Sequence, residues 1–297
     1  MTRFSTRAFP RLLGIALALT GLAGGQAGAQ LRLNVSCDRG RYIIHEPVQV
    51  TLRIRNDSGN ALSFGEAAPG RPLLSLVCQR EDATTRETRE ADALIRGLEL
   101  APGQEKTLTF AINDNFGLAR PGRFAITAQV GHPRFQSDLR TQPAQFEVRE
   151  GTPEWSHDLG VPALDPEAPI RDRRATLLVF PEEKFDIYCL QIQDDDTLYA
   201  LLRLGRRIIA APPQCEIDAM SNIHVLMRLR SRLLVHRVYD YNGSLRQQKF
   251  YGLSSTTPEL YRDTQTGRVS VVGGKMAQEG VDYTLSRDDN SVVEETP

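Results

Sequence analysis

The feature that most constrains this chain is a recurring alternation of apolar and polar residues with a period of two. Val48, Val50, Leu52 and Ile54 are interleaved with Gln49, Thr51, Arg53 and Arg55, and Leu31, Leu33 and Val35 alternate in the same way. Successive side chains of a strand point to opposite faces, so this pattern specifies strands with one face in a core and one in water. Turn chemistry separates the runs. Asn56-Asp57-Ser58-Gly59-Asn60 offers side-chain acceptors to its own backbone, and Pro102-Gly103 and Pro121-Gly122 punctuate later stretches. Further strands are expected near 73–79, 106–112, 122–130 and 144–149. About seven short strands over residues 30–149 predict an immunoglobulin-like β-sandwich.

The order of these pieces resembles bacterial Ig-like domains, among them the proteinase-inhibitor-like ones. The resemblance rests on Glu46-Pro47-Val48, Thr51-Leu52-Arg53-Ile54-Arg55-Asn56, Leu98-Glu99-Leu100-Ala101-Pro102-Gly103 and Pro121-Gly122-Arg123-Phe124-Ala125-Ile126-Thr127-Ala128. It covers the first half of the chain only and implies a fold more than an activity. An inhibitor needs a protruding loop, and the charged stretch Arg80–Arg96, read as a mobile loop or short helix, is the candidate.

The first 29 residues read as a secretory signal. Arg3, Arg7 and Arg11 precede the apolar run Leu12–Leu19, and small residues ending Ala27-Gly28-Ala29 precede Gln30. The apolar run is shorter than the roughly 20 residues of a membrane span, and no second such run follows. The expectation is an exported protein, periplasmic or extracellular, without a membrane span after cleavage. The whole chain carries 36 basic and 37 acidic residues among 297, and losing the leader's three arginines makes it more acidic. That balance argues against nucleic acid as a partner.

Export changes how Cys37, Cys78, Cys189 and Cys215 are read. None lies in a C-x-x-C pair or at zinc-ligand spacing from a histidine, and an even count in an oxidising compartment suggests disulfides. Cys37–Cys78 and Cys189–Cys215 are the favoured pairs because each stays within one half; four buried thiols is the alternative.

Residues 150–172, with Pro153, Pro162, Pro166 and Pro169, read as a linker lacking regular structure, with Trp155 pinning it to a neighbour. A second antiparallel β domain built of hairpins is expected over 173–282, giving an all-β protein, and 283–297 reads as a disordered tail. Tyr241-Asn242-Gly243-Ser244 signals a type I′ hairpin, and Asp263–Gly267 a longer one. Leu198–Ile209 aligns without gaps to Ile223–Leu234, so each is expected to form one hairpin, turning at Gly205 and Ser231.

Chemistry-bearing patterns are sparse. His224 and His236 face each other on adjoining expected strands, with Asp240 as the third group that a metal would need. They are read as satisfied or exposed strand histidines. Asp194-Asp195-Asp196 is read as a solvated turn, since calcium loops space their ligands at alternate positions. Gly273-Gly274-Lys275 lacks the remainder of a phosphate loop, and no nucleophile elbow, zinc helix or dinucleotide fingerprint is present. No catalytic residue, metal or cofactor is therefore assigned. Arg203, Arg207, Arg228, Arg230 and Arg232 remain as a candidate surface for an acidic glycan or protein segment, or as charges that protect a sheet edge. The functional expectation is a non-enzymatic binding or scaffold protein. A secreted proteinase inhibitor, or a hydrolase with a non-local active site in the second half, stands as the alternative.

Overall fold

The computed structural model describes residues 31–67, 70–161, 171–285 and 293–295. The leader expected at 1–29 lies outside the described residues. Nearly every element is a strand. In chain order they are β1 (Leu31–Cys37), β2 (Arg41–Ile43), β3 (Gln49–Asn56), β4 (Leu62–Phe64), β5 (Leu74–Arg80), β6 (Arg86–Glu90), β7 (Leu98–Leu100), β8 (Glu105–Ala111), β9 (Gly122–Val130), β10 (Leu139–Arg140) and β11 (Ala144–Arg149). The second half holds β12 (Thr152–Val161), β13 (Arg171–Pro181), β14 (Asp186–Gln193), β15 (Leu198–Arg206), β16 (Gln214–Ile217), β17 (Ile223–Arg228), β18 (Leu233–Tyr239) and β19 (Leu245–Gly252). It ends with β20 (Glu259–Arg262), β21 (Val269–Val272), β22 (Lys275–Met276), β23 (Tyr283–Leu285) and β24 (Val293–Glu295).

Two sheets, β1-β3-β8 and β2-β11-β9-β5-β6, enclose a first core in a sandwich-like arrangement. Val50, Leu52 and Ile54 face Leu74, Leu76, Phe124, Ile126 and Phe146 there, as the alternation requires. Pairing is antiparallel throughout these sheets except between β2 and β11. Asn56, fully buried, ties the end of β3 to two other segments: its Nδ2 donates to Asn60 O and Leu100 O, both at 2.8 Å, and its Oδ1 accepts from Ser58 N. Gly103, at φ 77°, donates to Asn56 O, so the Pro102-Gly103 turn closes on the same residue.

Two further sheets, β12-β13-β14-β15 and β16-β17-β18-β19-β22, enclose a second core of Leu177, Val179, Tyr188, Leu190, Val225, Met227, Val235 and Phe250. The first of these sheets is buried on both faces. Leu178, Phe180, Ile187 and Cys189 point away from the second core and pack with Ile43 of β2. That double burial explains why β13 reads as a continuous apolar run instead of alternating. A bulge in β15 skips Leu204 in the pairing with β14, and the free Leu204 carbonyl accepts from Arg237 Nη1 at 2.7 Å.

Several expectations are corrected. The proline-rich segment is not irregular throughout: Thr152–Val161 is an edge strand paired with β13, its Pro153 at the sheet edge beside a bulge. Trp155 packs against the second core. The charged stretch Arg80–Arg96 forms the end of β5, the edge strand β6 and a short 3₁₀ turn at Asp92–Leu94. All five residues of β6 are exposed, as suits a charged edge. The two aligned segments do not form equivalent hairpins. Ile223–Leu234 spans the β17–β18 hairpin, whereas Leu198–Arg206 is one continuous strand and Gly205, at φ 137°, bends it without reversing it. At 241–244 only Gly243 has positive φ, so the β18–β19 turn is not type I′. It is a wider loop closed by Asp240 N to Ser244 O and capped by the Asp240 carboxylate. The tail begins in a strand pair, β23 with β24.

Candidate functional site

The two sheet systems meet at a charged seam. The chain bends after β2 through His45, at φ 69°, which turns Glu46 inward. Glu46 is 8% exposed, and each of its oxygens is in use. Oε2 accepts from Ile43 N at 3.0 Å and Arg203 Nη2 at 2.8 Å; Oε1 accepts from Arg39 Nη1 and Arg203 Nε, both at 2.6 Å. The same guanidinium binds Glu182 through Nη1 and lies 5.5 Å from the Phe180 ring centroid. Arg41 adds a bond to Glu182 O at 2.7 Å. Arg203 thus clamps a carboxylate of the first sheet system to one at the end of β13, with bidentate geometry toward Glu46.

Beside this clamp lies an open cleft of about 540 Å³. The outward face of the β2-β11-β9-β5 sheet supplies Arg41, Gln79, Arg123, Gln145 and Glu147, and Glu183 closes it from the second half. Glu147 gathers Arg149 at 2.8 Å, Arg41 at 3.3 Å and Arg123 at 3.9 Å. Gly40 forms the floor between the halves, where Glu183 Oε1 occupies the space a side chain would need.

The five arginines do not converge. Arg203 and Arg228 point away from the second core on opposite sides, since Leu204 and Met227 point into it from facing sheets. Arg207 pairs with Glu154 at 2.6 Å and Asp186 at 3.5 Å. Arg228 is half-buried with Nε unpartnered, and Arg230 and Arg232 shape the β17–β18 turn through backbone bonds to Leu233 and Leu253. Ion pairing across more than 150 residues, as between Glu46 and Arg203, leaves no local trace in sequence; Glu182 is nearer in the chain, but it meets Arg203 only because β13 and β15 flank β14 in one sheet.

His224 and His236 do meet. His224 Nδ1 lies 3.0 Å from His236 Nε2, and both rings are buried. The third member is Asp218, whose Oδ2 is 3.2 Å from His224 Nε2, and not Asp240, which caps its own turn and pairs with Arg246. Burial works to raise the Asp218 carboxyl, but bonds from Asn222, His224 and Met220 N hold it below the usual range. Among the described residues no group of three or more such ligands is placed to hold a metal. Asp194 accepts from Asp196 N and Thr197 N, so the triple aspartate forms a turn.

All four cysteines are free thiols. The expected Cys189–Cys215 bridge is not formed, and strand alternation explains it: Cys189 packs with Ile43 and Phe180, while Cys215 borders the second core on the other side of that sheet. Cys37 and Cys78 are likewise unbridged, although both line the first core. Burial pushes every thiol up, Cys37 to about 11 and Cys78, Cys189 and Cys215 to about 12, so none is a ready nucleophile at neutral pH.

No known family model matches this sequence, and no curated protein matches it. Among solved structures, the sporulation control protein Spo0M of Bacillus subtilis aligns with 59% of this chain and 90% of its own, at 11% identity and a TM-score of 0.28. A likeness at that level carries no inference about this chain.

Proposed function

We propose that this chain is an exported, non-enzymatic binding or scaffold protein whose ligand lies in the cleft beside the Glu46–Arg203–Glu182 clamp. The observation that carries the reading is the clamp itself: the buried Glu46, the half-buried Glu182 and the guanidinium they share hold two β-sheet systems together beside a cleft lined by both. A site framed by two rigid bodies is preorganised, which lowers the entropic cost of binding. Its lining mixes the apolar Phe124, Ala125 and Phe146 with the carboxamides of Gln79 and Gln145 and with both signs of charge, Arg41 and Arg123 against Glu81, Glu147 and Glu183, which suits a protein segment carrying polar and apolar groups. The signal-like leader supports export to the periplasm or beyond. The turn motifs at Glu46–Asn56, Leu98–Gly103 and Pro121–Ala128 support an Ig-like assignment for the first half.

The test is capture from envelope extract by the mature protein, run beside Arg123→Glu and Arg228→Glu variants. A partner lost with Arg123→Glu and kept with Arg228→Glu supports the cleft. Equal recovery by all three, or recovery by none, overturns it. Proteinase inhibition is a second reading, favoured by the exposed β5–β6 hairpin in the charged stretch. Failure to inhibit a broad proteinase panel at micromolar concentration sinks it.

A further inference from the structure

The buried chain Asp218–His224–His236 has no role in the cleft, and its hydrogen-bond logic determines where its protons sit. Asp218 accepts from Met220 N, Asn222 N and Asn222 Nδ2 at 2.8–2.9 Å, the pattern of an ionised carboxylate. It therefore takes the Nε2–H of His224, leaving His224 Nδ1 as an acceptor. His236 Nε2 must then donate to it across 3.0 Å. That leaves His236 Nδ1 as a bare lone pair, and this atom is buried without a partner on a side chain that is 3% exposed. A neutral nitrogen tolerates that position. A protonated one would bury an N–H with no acceptor and a positive charge with no counter-ion.

The neighbourhood adds no relief. Lys249 stands opposite His236 in the β18–β19 register, and Tyr251, with its ring 6.5 Å away, follows on the same strand. Glu216 of β16 lies opposite His224, not His236, and Arg228 ends the same face of β17. On the hairpin β20–β21, Glu259, Arg262 and Arg268 are exposed and Asp263 is occupied by its own turn. This hairpin is carried by the same region of the sheet: Leu260 N donates to Gln214 Oε1 at 2.7 Å, and Ala219 N donates to Gly267 O.

We propose that the Asp218–His224–His236 chain is an acid-sensitive latch, which holds the β16–β19 sheet and its hairpin closed while His236 is neutral and releases them when it takes a proton. The inference is independent of the cleft. Burial, with the charges of His224 and Lys249, lowers His236 from 6.5 to about 4 in the folded chain. Between those values the opened chain binds a proton that the folded chain refuses. The latch is thus fully closed above pH 6.5 and weakens as the pH falls toward about 4. The opening constant rises by roughly 160-fold by pH 4 and approaches about 300-fold only below it.

Amide exchange of the full mature chain, followed from pH 7.5 to 4.5 after correction for intrinsic exchange rates, tests it. Protection lost first in β16–β19 and β20–β21, with the first core still protected, is the expected result. In His236→Gln, which keeps a donor toward His224 but does not titrate, that acid response should disappear. The same pH response in His236→Gln, or uniform loss across both cores, overturns the proposal. Should that variant not fold, ring ¹⁵N shifts of the wild-type histidines decide: the expected His236 stays neutral with Nδ1 bare down to about pH 5, and titration near 6.5 refutes the latch.

Discussion

Replacing Arg203 with alanine removes three charge-assisted contacts at once: two to Glu46, at 2.6 and 2.8 Å, and one to Glu182. Glu46 is left 8% exposed, with Arg39 and Ile43 N as its remaining partners. Breaking a buried ion pair from one side costs about 3–5 kcal/mol, because the stranded charge keeps its desolvation penalty. Arg39 compensates Glu46 in part, and its side chain is 43% exposed, so the expected cost is near the lower end, about 3 kcal/mol. Removing both charges, in Glu46→Gln with Arg203→Met, should return most of that loss and leave a net change within about 1 kcal/mol. Urea unfolding of wild type, Glu46→Gln, Arg203→Met and their combination gives the cycle, with Arg203→Ala measured beside it. Trp155, packed on the second core, reports one half by fluorescence, and far-UV circular dichroism reports the whole. The two probes should coincide in wild type and separate in Arg203→Ala as the halves uncouple. An Arg203→Ala loss below about 0.5 kcal/mol, or a cycle that is simply additive, would refute the clamp.

Two further outcomes follow from the first core and the cysteines. Asn56→Ala should cost about 2–3 kcal/mol, since it deserts the buried Leu100 carbonyl as well as the 57–60 turn; thermal unfolding checks it, and a change under 0.5 kcal/mol would contradict the bonding described. Alkylation of the denatured mature protein, recovered from an oxidising compartment, should find Cys189 and Cys215 not joined to each other. Cys37 and Cys78 share one core, and a bridge between them, closing about 40 residues, would add roughly 4 kcal/mol by the loop-entropy relation. A Cys189–Cys215 peptide would show that the sheet between them is misplaced.

Legibility varied with range. The strands β3, β5, β9, β11, β17 and β19 are visible as alternating or apolar runs because side-chain direction in a strand is a local property. The short β2, β4 and β7 carry three residues each, too few to show a period. The edge strand β12 is hidden by its own Pro153, which an edge position tolerates, and by the proline-rich sequence that follows it. Segment similarity misled at Leu198–Ile209, since two amphipathic stretches of like composition serve one strand in one place and a hairpin in the other. His224 and His236 could be paired in advance because a hairpin relates them, but Asp218 reaches them through a loop geometry that no spacing announces.

The sequence by itself determined the all-β class, several of the turns and the placing of the two histidines on neighbouring strands, because strand alternation and turn chemistry act within a few residues. Only the tertiary structure decided that Arg203 belongs to Glu46, that Cys189 and Cys215 lie on opposite sides of a sheet, and that a cleft opens at the seam. Those outcomes depend on which sheets stack and which faces are buried twice. Such choices are set by burial and pairing energies summed over residues more than a hundred positions apart.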